Sequence, residues 1–194
     1  LYFLDLDGHN LRADGHASYL RRVLNDGWGS TLSSMAIADV DGDGRAEIAF
    51  GTGRASLYLA RPTMEDDGRI CQHRLGDDVR GTEIIRDGEG TALIVTGATS
   101  EFVTAFEGSG EKRWSVAVGG PVVEMTSAVI DDRDVIVAAL AGGNVLVLTA
   151  DGEIVERGTI DGRPTALTVT AGGAPLIVVA DETGMVTAFE LPTP

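Results

Sequence analysis

The residues best suited to chemistry in this sequence are acidic and closely spaced, in the stretch AIADVDGDGRAEIAFGT. Asp39, Asp41 and Asp43 occupy alternate positions, and Glu47 follows shortly after them. A hard cation such as Ca²⁺ takes about six to eight oxygen ligands at short range. Carboxylates at loop positions one, three, five and nine, together with the backbone carbonyl of Arg45 at position seven, can supply such ligands. The spacing therefore predicts one calcium site formed by Asp39, Asp41, Asp43, Arg45 and Glu47.

Two other interpretations of the acidic stretch can be compared with this one. An EF-hand loop also has acidic positions one, three and five and a glycine at six, but it needs a Glu at position twelve and a helix on each side. Position twelve is Phe50, and the flanking residues Met35–Ala38 and Ile48–Phe50 have the character of strands. The EF-hand is therefore excluded, and a solvated Asp-Gly turn remains as the alternative.

The pattern D-x-D-x-D-G-x-x-E between two strands resembles the loop of FG-GAP and VCBS repeats. These repeats are propeller blades of integrin alpha subunits and of many secreted microbial proteins. The resemblance implies a calcium-binding β-propeller at an extracellular or cell-surface location. A cytoplasmic location is the alternative.

The elements that would position this loop are short strands in a repeating pattern. Apolar segments alternate with Gly/Asp turns, which is typical of an all-β fold of antiparallel strands. Gly68, Gly110 and Gly152 lie in three such turns, 42 residues apart each time. A repeat of about 40 to 45 residues with four strands is the period of a propeller blade.

The predicted fold is thus all-β, a β-propeller of four-stranded antiparallel blades. We expect a partial ring of about three complete blades plus two partial ones. The residues 1–194 would form a single propeller domain or a fragment of one, divided into a partial blade 1–28, blades 35–77, 82–120 and 122–162, and a partial blade 165–191.

Two later segments, GSGEKRWSVAVGGPV and NVLVLTADGEIV, resemble PQQ-like propeller repeats. In those repeats the strand after a Gly turn carries a tryptophan, which here is Trp114, with Trp28 one blade earlier. The implied role of the indole is packing between neighbouring blades. The resemblance does not extend to PQQ binding, because no clustered constellation for the cofactor is found, and we predict neither catalytic nor cofactor-binding residues.

Other polar residues give weaker signals. Asp131, Asp132 and Asp134 have the wrong spacing for a cation cage and predict a solvated turn. Cys71 and His73 would share one strand face, but two ligands are too few for a metal site. Their predicted role is packing or surface placement.

The composition limits the classes of partner. A net charge of −15 and a pI of about 4.4 argue against nucleic acid and anionic membranes. No apolar stretch approaches the roughly 20 residues of a membrane helix. The lone Cys71 excludes an internal disulfide. The chain begins with Leu1 inside an apparent strand, which suggests a fragment or a processed product.

These observations predict a non-catalytic, calcium-stabilised scaffold that binds a protein or glycan through its loops. The remainder of the propeller is a further candidate partner. One alternative is the propeller portion of a larger enzyme, of the polysaccharide lyase or quinoprotein-dehydrogenase type. Another is an intracellular scaffold subunit of a complex.

Overall fold

The computed structural model describes residues 31–61, 68–170 and 175–190, and all regular secondary structure in these ranges is β-strand. Blade I consists of β1 (Leu32–Ala38), β2 (Glu47–Thr52), β3 (Ser56–Ala60) and β4 (Arg69–Arg74). Blade II consists of β5 (Val79–Arg86), β6 (Ala92–Ala98), β7 (Phe102–Glu107) and β8 (Lys112–Ala117). Blade III consists of β9 (Val122–Ile130), β10 (Arg133–Leu140), β11 (Asn144–Thr149) and β12 (Ile154–Thr159). Blade IV consists of β13 (Pro164–Val169), β14 (Leu176–Asp181) and β15 (Val186–Glu190).

Each blade is an antiparallel meander in which consecutive strands are hydrogen-bonded neighbours. The predicted all-β class is confirmed, with three four-stranded sheets and one three-stranded sheet in the described ranges. The predicted partial blade 1–28 lies outside the described residues. None of the described residues belongs to a helix that is long and apolar enough to span a membrane.

The first strands of blades I and II begin earlier than the apolar pattern predicts. β1 starts at Leu32 instead of Met35, and β5 starts at Val79 instead of Glu83. The additional residues are mostly polar or small, and they join the two blades: the Ser33 hydroxyl donates to the Val79 carbonyl. Hydrogen bonding between the blades, which an apolar pattern does not reveal, therefore extends these strands.

The middle strands are the most deeply buried elements of blades I, II and III, and blades II and III each pack between two described blades. Every residue of β2, β3 and β6 is buried. In the described ranges the core consists of three apolar clusters, each between two consecutive blades. They centre on Leu59 and Phe106 between blades I and II, on Val95 and Leu148 between blades II and III, and on Val147 and Val179 between blades III and IV.

Trp114 packs across the boundary between blades II and III, as the sequence predicts. Its indole Nε1 donates a hydrogen bond to the Ala150 carbonyl at 2.8 Å. A Cβ atom on Gly152 would lie 2.8 Å from the Trp114 Cδ2 atom, so only glycine allows the ring to approach this closely. Trp28 lies outside the described residues.

Cys71 occupies the corresponding place between blades I and II. A Cβ atom on Gly110 would lie 2.7 Å from the Cys71 Sγ atom, just as Gly152 meets the indole one repeat later. The neighbouring His73 Nε2 atom is 2.7 Å from the Gly110 carbonyl oxygen. Burial raises the pKa of the Cys71 thiol. These contacts agree with the packing role that the sequence predicts for Cys71 and His73.

The meander places alternate connections at opposite ends of a blade. In blade I the loop 39–46 and Arg61, directly after β3, share one end, and the turn 53–55 lies at the other. The register confirms this arrangement, since Ile48 at the start of β2 pairs with Ala60 at the end of β3. Arg61 is therefore brought beside the acidic loop.

Candidate metal centre

The acidic loop reverses the chain between β1 and β2. Gly42 and Gly44 have φ angles of +79° and +83°, which are readily accessible to glycine and strained for other residues. A Cβ atom at either position would meet nothing within 4 Å, so these glycines serve backbone conformation and not close packing. The two glycines allow the tight wrap that the sequence predicts.

The wrapped loop brings three of the predicted ligands together. One carboxylate oxygen from each of Asp39, Asp41 and Asp43 lies within 4.8 Å of the other two. Among the described residues this is the one group of three or more potential metal-ligating side chains at such spacing. Like charges at this distance repel one another, so the loop needs positive charge nearby.

Backbone amides supply part of that positive charge. Asp39 accepts hydrogen bonds from the amides of Gly42 at 2.7 Å and Gly44 at 3.0 Å, one on each carboxylate oxygen. Asp43 accepts a bond from the Arg45 amide at 2.8 Å. Asp39 therefore organises the loop backbone.

Glu47 differs from the three aspartates because it is completely buried, with an exposed fraction of 0%. Its Oε2 atom accepts a hydrogen bond from the Val40 amide at 3.0 Å. Its Oε1 atom is buried and has no hydrogen-bond partner among the described residues. Leaving a buried carboxylate oxygen without a partner costs about 1–3 kcal/mol or more.

An arginine that the sequence analysis does not identify contacts two of the predicted ligands. Arg61 Nη2 forms an ion pair with Asp41 Oδ2, and Arg61 Nε lies 3.9 Å from Glu47 Oε1. The hydrogen bond from Arg61 is the main cause that lowers the pKa of Asp41, and it outweighs the opposing effect of burial. The guanidinium therefore lies between the loop and the buried glutamate.

The loop is also fixed to the neighbouring blade. Val40, between the first two aspartates, is 7% exposed and belongs to the apolar cluster between blades I and II. A Cβ atom on Gly108, in the β7–β8 turn, would lie 2.2 Å from the Val40 carbonyl oxygen. The position of the loop thus depends on the contact between two blades.

Not every predicted ligand joins the group of aspartates. Glu47 is outside the group of oxygens that lie within 4.8 Å of one another. Arg45 lies exposed in the loop. Arg61 and Gly108 are the residues that sequence reasoning misses. The sequence does offer one signal for Arg61. It follows the third strand of blade I directly, and that strand ends at the same end of the blade as the acidic loop.

The predicted turn at Asp131, Asp132 and Asp134 forms no such group. Asp131 and Asp132 have φ angles of +48° and +59°, and Ile130 pairs with Arg133 across them. Positive φ at both central residues is typical of a two-residue type I′ hairpin. Asp134 Oδ2 accepts a hydrogen bond from the Arg86 amide at 2.6 Å. These aspartates therefore serve a hairpin and a contact to blade II.

Comparison with known proteins gives matches at the level of structure. No family model and no curated protein sequence matches the chain. The crystal structure of BBS1N in complex with ARL6DN superposes with a TM-score of 0.68 at 18% identity, over 84% of this chain and 52% of that one. BamB from Moraxella catarrhalis gives a TM-score of 0.56 at 19% identity, over 80% of this chain and 42% of that one. The fold is a β-propeller.

A designed protein matches the propeller over most of its own length. The computationally designed Ika4 protein has a TM-score of 0.62 at 16% identity, with 86% of this chain and 95% of that chain covered. By contrast, the chain spans about half of BBS1N. At these identities the similarity establishes the fold alone.

Proposed function

We propose that this β-propeller is a non-catalytic, calcium-stabilised scaffold that binds a protein or a glycan through its loops, at an extracellular or cell-surface location. The observation that carries the calcium part is the Glu47 Oε1 atom, which is buried without a hydrogen-bond partner next to a loop of three converging aspartates. A cation near this loop would offset both the orphaned oxygen and the repulsion between the aspartates.

The residues fit a hard divalent cation. The donors available are carboxylate and carbonyl oxygens, which suit Ca²⁺ and not the softer metals that prefer nitrogen or sulfur. Asp39, Asp41, Asp43 and Glu47 would hold the ion with their carboxylates, and Arg45 with its backbone carbonyl. The bound ion would supply positive charge that ties the loop to the start of β2.

The proposed role of the ion is structural because of what the loop is attached to. Val40 carries the loop into the apolar cluster between blades I and II. Fixing the loop would therefore fix the packing of these two blades. Extracellular calcium is at millimolar concentration, which suits a single exposed site of modest affinity.

The proposed binding surface is the end of the blades that carries the acidic loop. The turns 87–91, 108–111, 131–132 and 150–153 occupy the same topological position in blades II and III, and they are rich in acidic and glycine residues. Turns held by a rigid scaffold are common recognition sites. BBS1N, which shares the fold, crystallised with a second protein, and this supports a partner of the protein class.

Thermal unfolding with calcium or with a chelator tests the calcium part. An ion that binds only the folded state at about 100 times its Kd stabilises by about 2.7 kcal/mol, which raises Tm by roughly 5–10 °C for a chain of this size. We expect this rise for the wild type and for Asp151→Ala, which removes an exposed acid of blade III. We expect Asp41→Ala to lose it.

Two results would contradict the proposal. One is an unchanged Tm of the wild type at millimolar calcium. The other is an equal rise in Asp41→Ala, which would locate the ion elsewhere. Calcium-dependent retention on immobilised glycans or on a candidate protein partner tests the binding part, and Asp41→Ala should lose the calcium dependence there too.

A further inference from the structure

We propose that Arg61 is a built-in counter-cation of the acidic loop, which holds Asp41 and Glu47 in the absence of calcium and competes with the ion for them. This inference rests on the proposed function and concerns the affinity of the same site. Its consequence is that Arg61 stabilises the ion-free protein while it weakens calcium binding.

The contacts of Arg61 carry the first step. One guanidinium serves two carboxylates of the predicted ligand set, at loop positions three and nine. Nη2 pairs with Asp41 Oδ2, and Nε lies 3.9 Å from Glu47 Oε1. The other oxygen of Asp41 already accepts a hydrogen bond from the Asp43 amide at 3.2 Å. Both Asp41 oxygens are thus engaged, and a calcium ion that binds Oδ2 competes with the guanidinium for this oxygen.

The buried glutamate is the independent sign that a cation belongs here. Glu47 is completely buried, and its free Oε1 faces the guanidinium at a distance that is too long for a hydrogen bond. Arg61 therefore offsets the desolvation of Glu47 Oε1 only in part. A ligand that binds oxygen at short range, as Ca²⁺ does at about 2.3–2.6 Å, would satisfy it more fully.

The backbone makes the position of Arg61 reproducible. Ile48 pairs with Ala60, so Arg61, directly after β3, comes opposite Glu47. The Arg61 amide also donates to the Gly68 carbonyl at 2.7 Å. The backbone of Arg61 is therefore held beside the loop, and its long side chain extends from there to Asp41 and Glu47.

The exposure of Arg61 allows it to move away. Its side chain is 49% exposed, while Glu47 is fully buried. An exposed ion pair is worth about 0.2–1 kcal/mol, so releasing Asp41 is inexpensive compared with binding a divalent ion. A guanidinium that stays close would still repel the ion. Both effects lower calcium affinity without abolishing it.

The test measures affinity and ion-free stability in the same variants. Arg61→Gln removes the charge but keeps a polar side chain. Arg54→Gln is the matched control, because Arg54 lies in the turn 53–55 at the opposite end of blade I. Strand β3 has 5 residues and separates Arg54 from the acidic loop. The distance is roughly 17 Å, beyond the Debye length of about 8 Å at physiological salt. Calcium titration calorimetry gives Kd, and thermal unfolding in chelator gives the ion-free stability.

We expect Arg61→Gln to bind calcium about three- to tenfold more tightly than the wild type and to unfold at a lower temperature in chelator. Arg54→Gln should keep its Kd within about twofold. An arginine that merely supports the fold would move both quantities in the unfavourable direction. Arg61→Lys, which keeps the charge but not the planar fork, should lie between wild type and Arg61→Gln, and it decides the matter if Arg61→Gln does not fold.

The outcomes separate this inference from the proposed function. Calcium binding by the wild type, together with tighter binding by Arg61→Gln, supports both. Binding by the wild type with equal or weaker binding by Arg61→Gln overturns the competition and leaves the calcium site intact. If the arginine variants and the wild type all fail to bind, the calcium site itself is refuted, and the competition with it.

Discussion

The carbonyl oxygen of Val40 lies so close to Gly108 that a Cβ atom on this glycine would come within 2.2 Å of it. Val40 belongs to the acidic loop of blade I, and Gly108 begins the β7–β8 turn of blade II. Val40 also donates its amide to the buried Glu47. One residue thus connects the candidate metal centre to the contact between two blades.

Gly108→Ala should therefore disturb both the fold and the ion site. The new methyl group meets a backbone atom that cannot rotate away, so we expect a loss of about 1–3 kcal/mol in the free energy of unfolding. Because the displaced residue lies between Asp39 and Asp41, calcium affinity should fall as well. Chemical unfolding and calcium titration measure the two effects.

Gly88→Ala is the control for this prediction. A Cβ atom on Gly88 would meet nothing within 4 Å, and the residue lies in a turn of the same blade. Its stability and calcium affinity should remain close to those of the wild type. Equal behaviour of the two alanine variants would contradict the claim that the loop is held by blade II.

Glu47→Gln should abolish the effect of calcium while leaving the stability of the ion-free fold nearly unchanged. The amide oxygen of the glutamine can still accept the hydrogen bond from Val40, while the buried negative charge is removed. We expect the stability in chelator to change by less than about 1 kcal/mol, since a lost ionic partner is offset by a lost buried charge. The calcium-dependent rise in Tm should disappear. A variant that keeps the full rise would show that Glu47 is not a ligand.

The packing of Trp114 at the boundary between blades II and III gives a prediction that is independent of any metal. Trp114→Phe keeps a ring against Gly152 but loses the hydrogen bond to the Ala150 carbonyl. We expect a loss of about 1 kcal/mol in the free energy of unfolding.

A double-mutant cycle isolates the contact between the ring and the glycine. Gly152→Ala should cost more in the wild type than in a Trp114→Ala background, because the clash with the indole is gone in the latter. The cost that remains there reflects the φ angle of +82° at position 152. Equal costs in both backgrounds would show that the indole does not rest on Gly152.

Asp181 gives a prediction about acid stability. Its Oδ1 atom accepts bonds from the Thr183 hydroxyl at 2.6 Å, the Thr183 amide at 2.8 Å and the Met185 amide at 3.1 Å. The bond from the Thr183 hydroxyl is the main cause that lowers the pKa of Asp181 below its ordinary 3.8. A group with a lowered folded-state pKa stabilises the protein above the unfolded-state pKa, and this contribution is lost as the pH falls through the folded-state value.

Asp181→Asn should accordingly be less stable than the wild type at neutral pH, and the difference should shrink as the pH falls below about 3.8. Unfolding in denaturant at a series of pH values measures this. Asp161→Asn, at an exposed position in the connection between β12 and β13, is the control and should follow the wild type throughout. A constant difference between Asp181→Asn and the wild type at all pH values would contradict the assignment.

Much of the fold is predictable because local sequence carries it. β3, β7, β9 and β11 begin and end where the apolar runs do. The glycines that recur in the turns, Gly68, Gly110 and Gly152, reveal the repeat period, and the resemblance to PQQ-like repeats predicts that Trp114 packs between blades. The early start of β5 escapes prediction because the residues that extend it are held by the neighbouring blade, as in the bond from Ser33 to Val79.

In the candidate site, too, features set by local sequence are predictable and features set by neighbouring strands and blades are not. The spacing of Asp39, Asp41 and Asp43 predicts their convergence, because an alternating acidic run broken by glycines folds back on itself. Arg61 escapes prediction because its approach to the loop depends on the register between β2 and β3. Gly108 lies even farther along the chain, and only the packing of two blades brings it to Val40. Contacts within the loop join residues that are close in sequence, whereas the contacts that hold the loop in place come from residues far along the chain.

Calorimetric titration of the wild-type protein with calcium is the decisive measurement for the proposed metal site. We expect saturable binding of one ion per chain, and we expect Asp41→Ala to remove the signal. Absence of any binding heat up to about 10 mM calcium, which exceeds the range of extracellular sites, would contradict the proposed site. So would an unchanged isotherm in Asp41→Ala, since the ion would then be held by residues other than this loop.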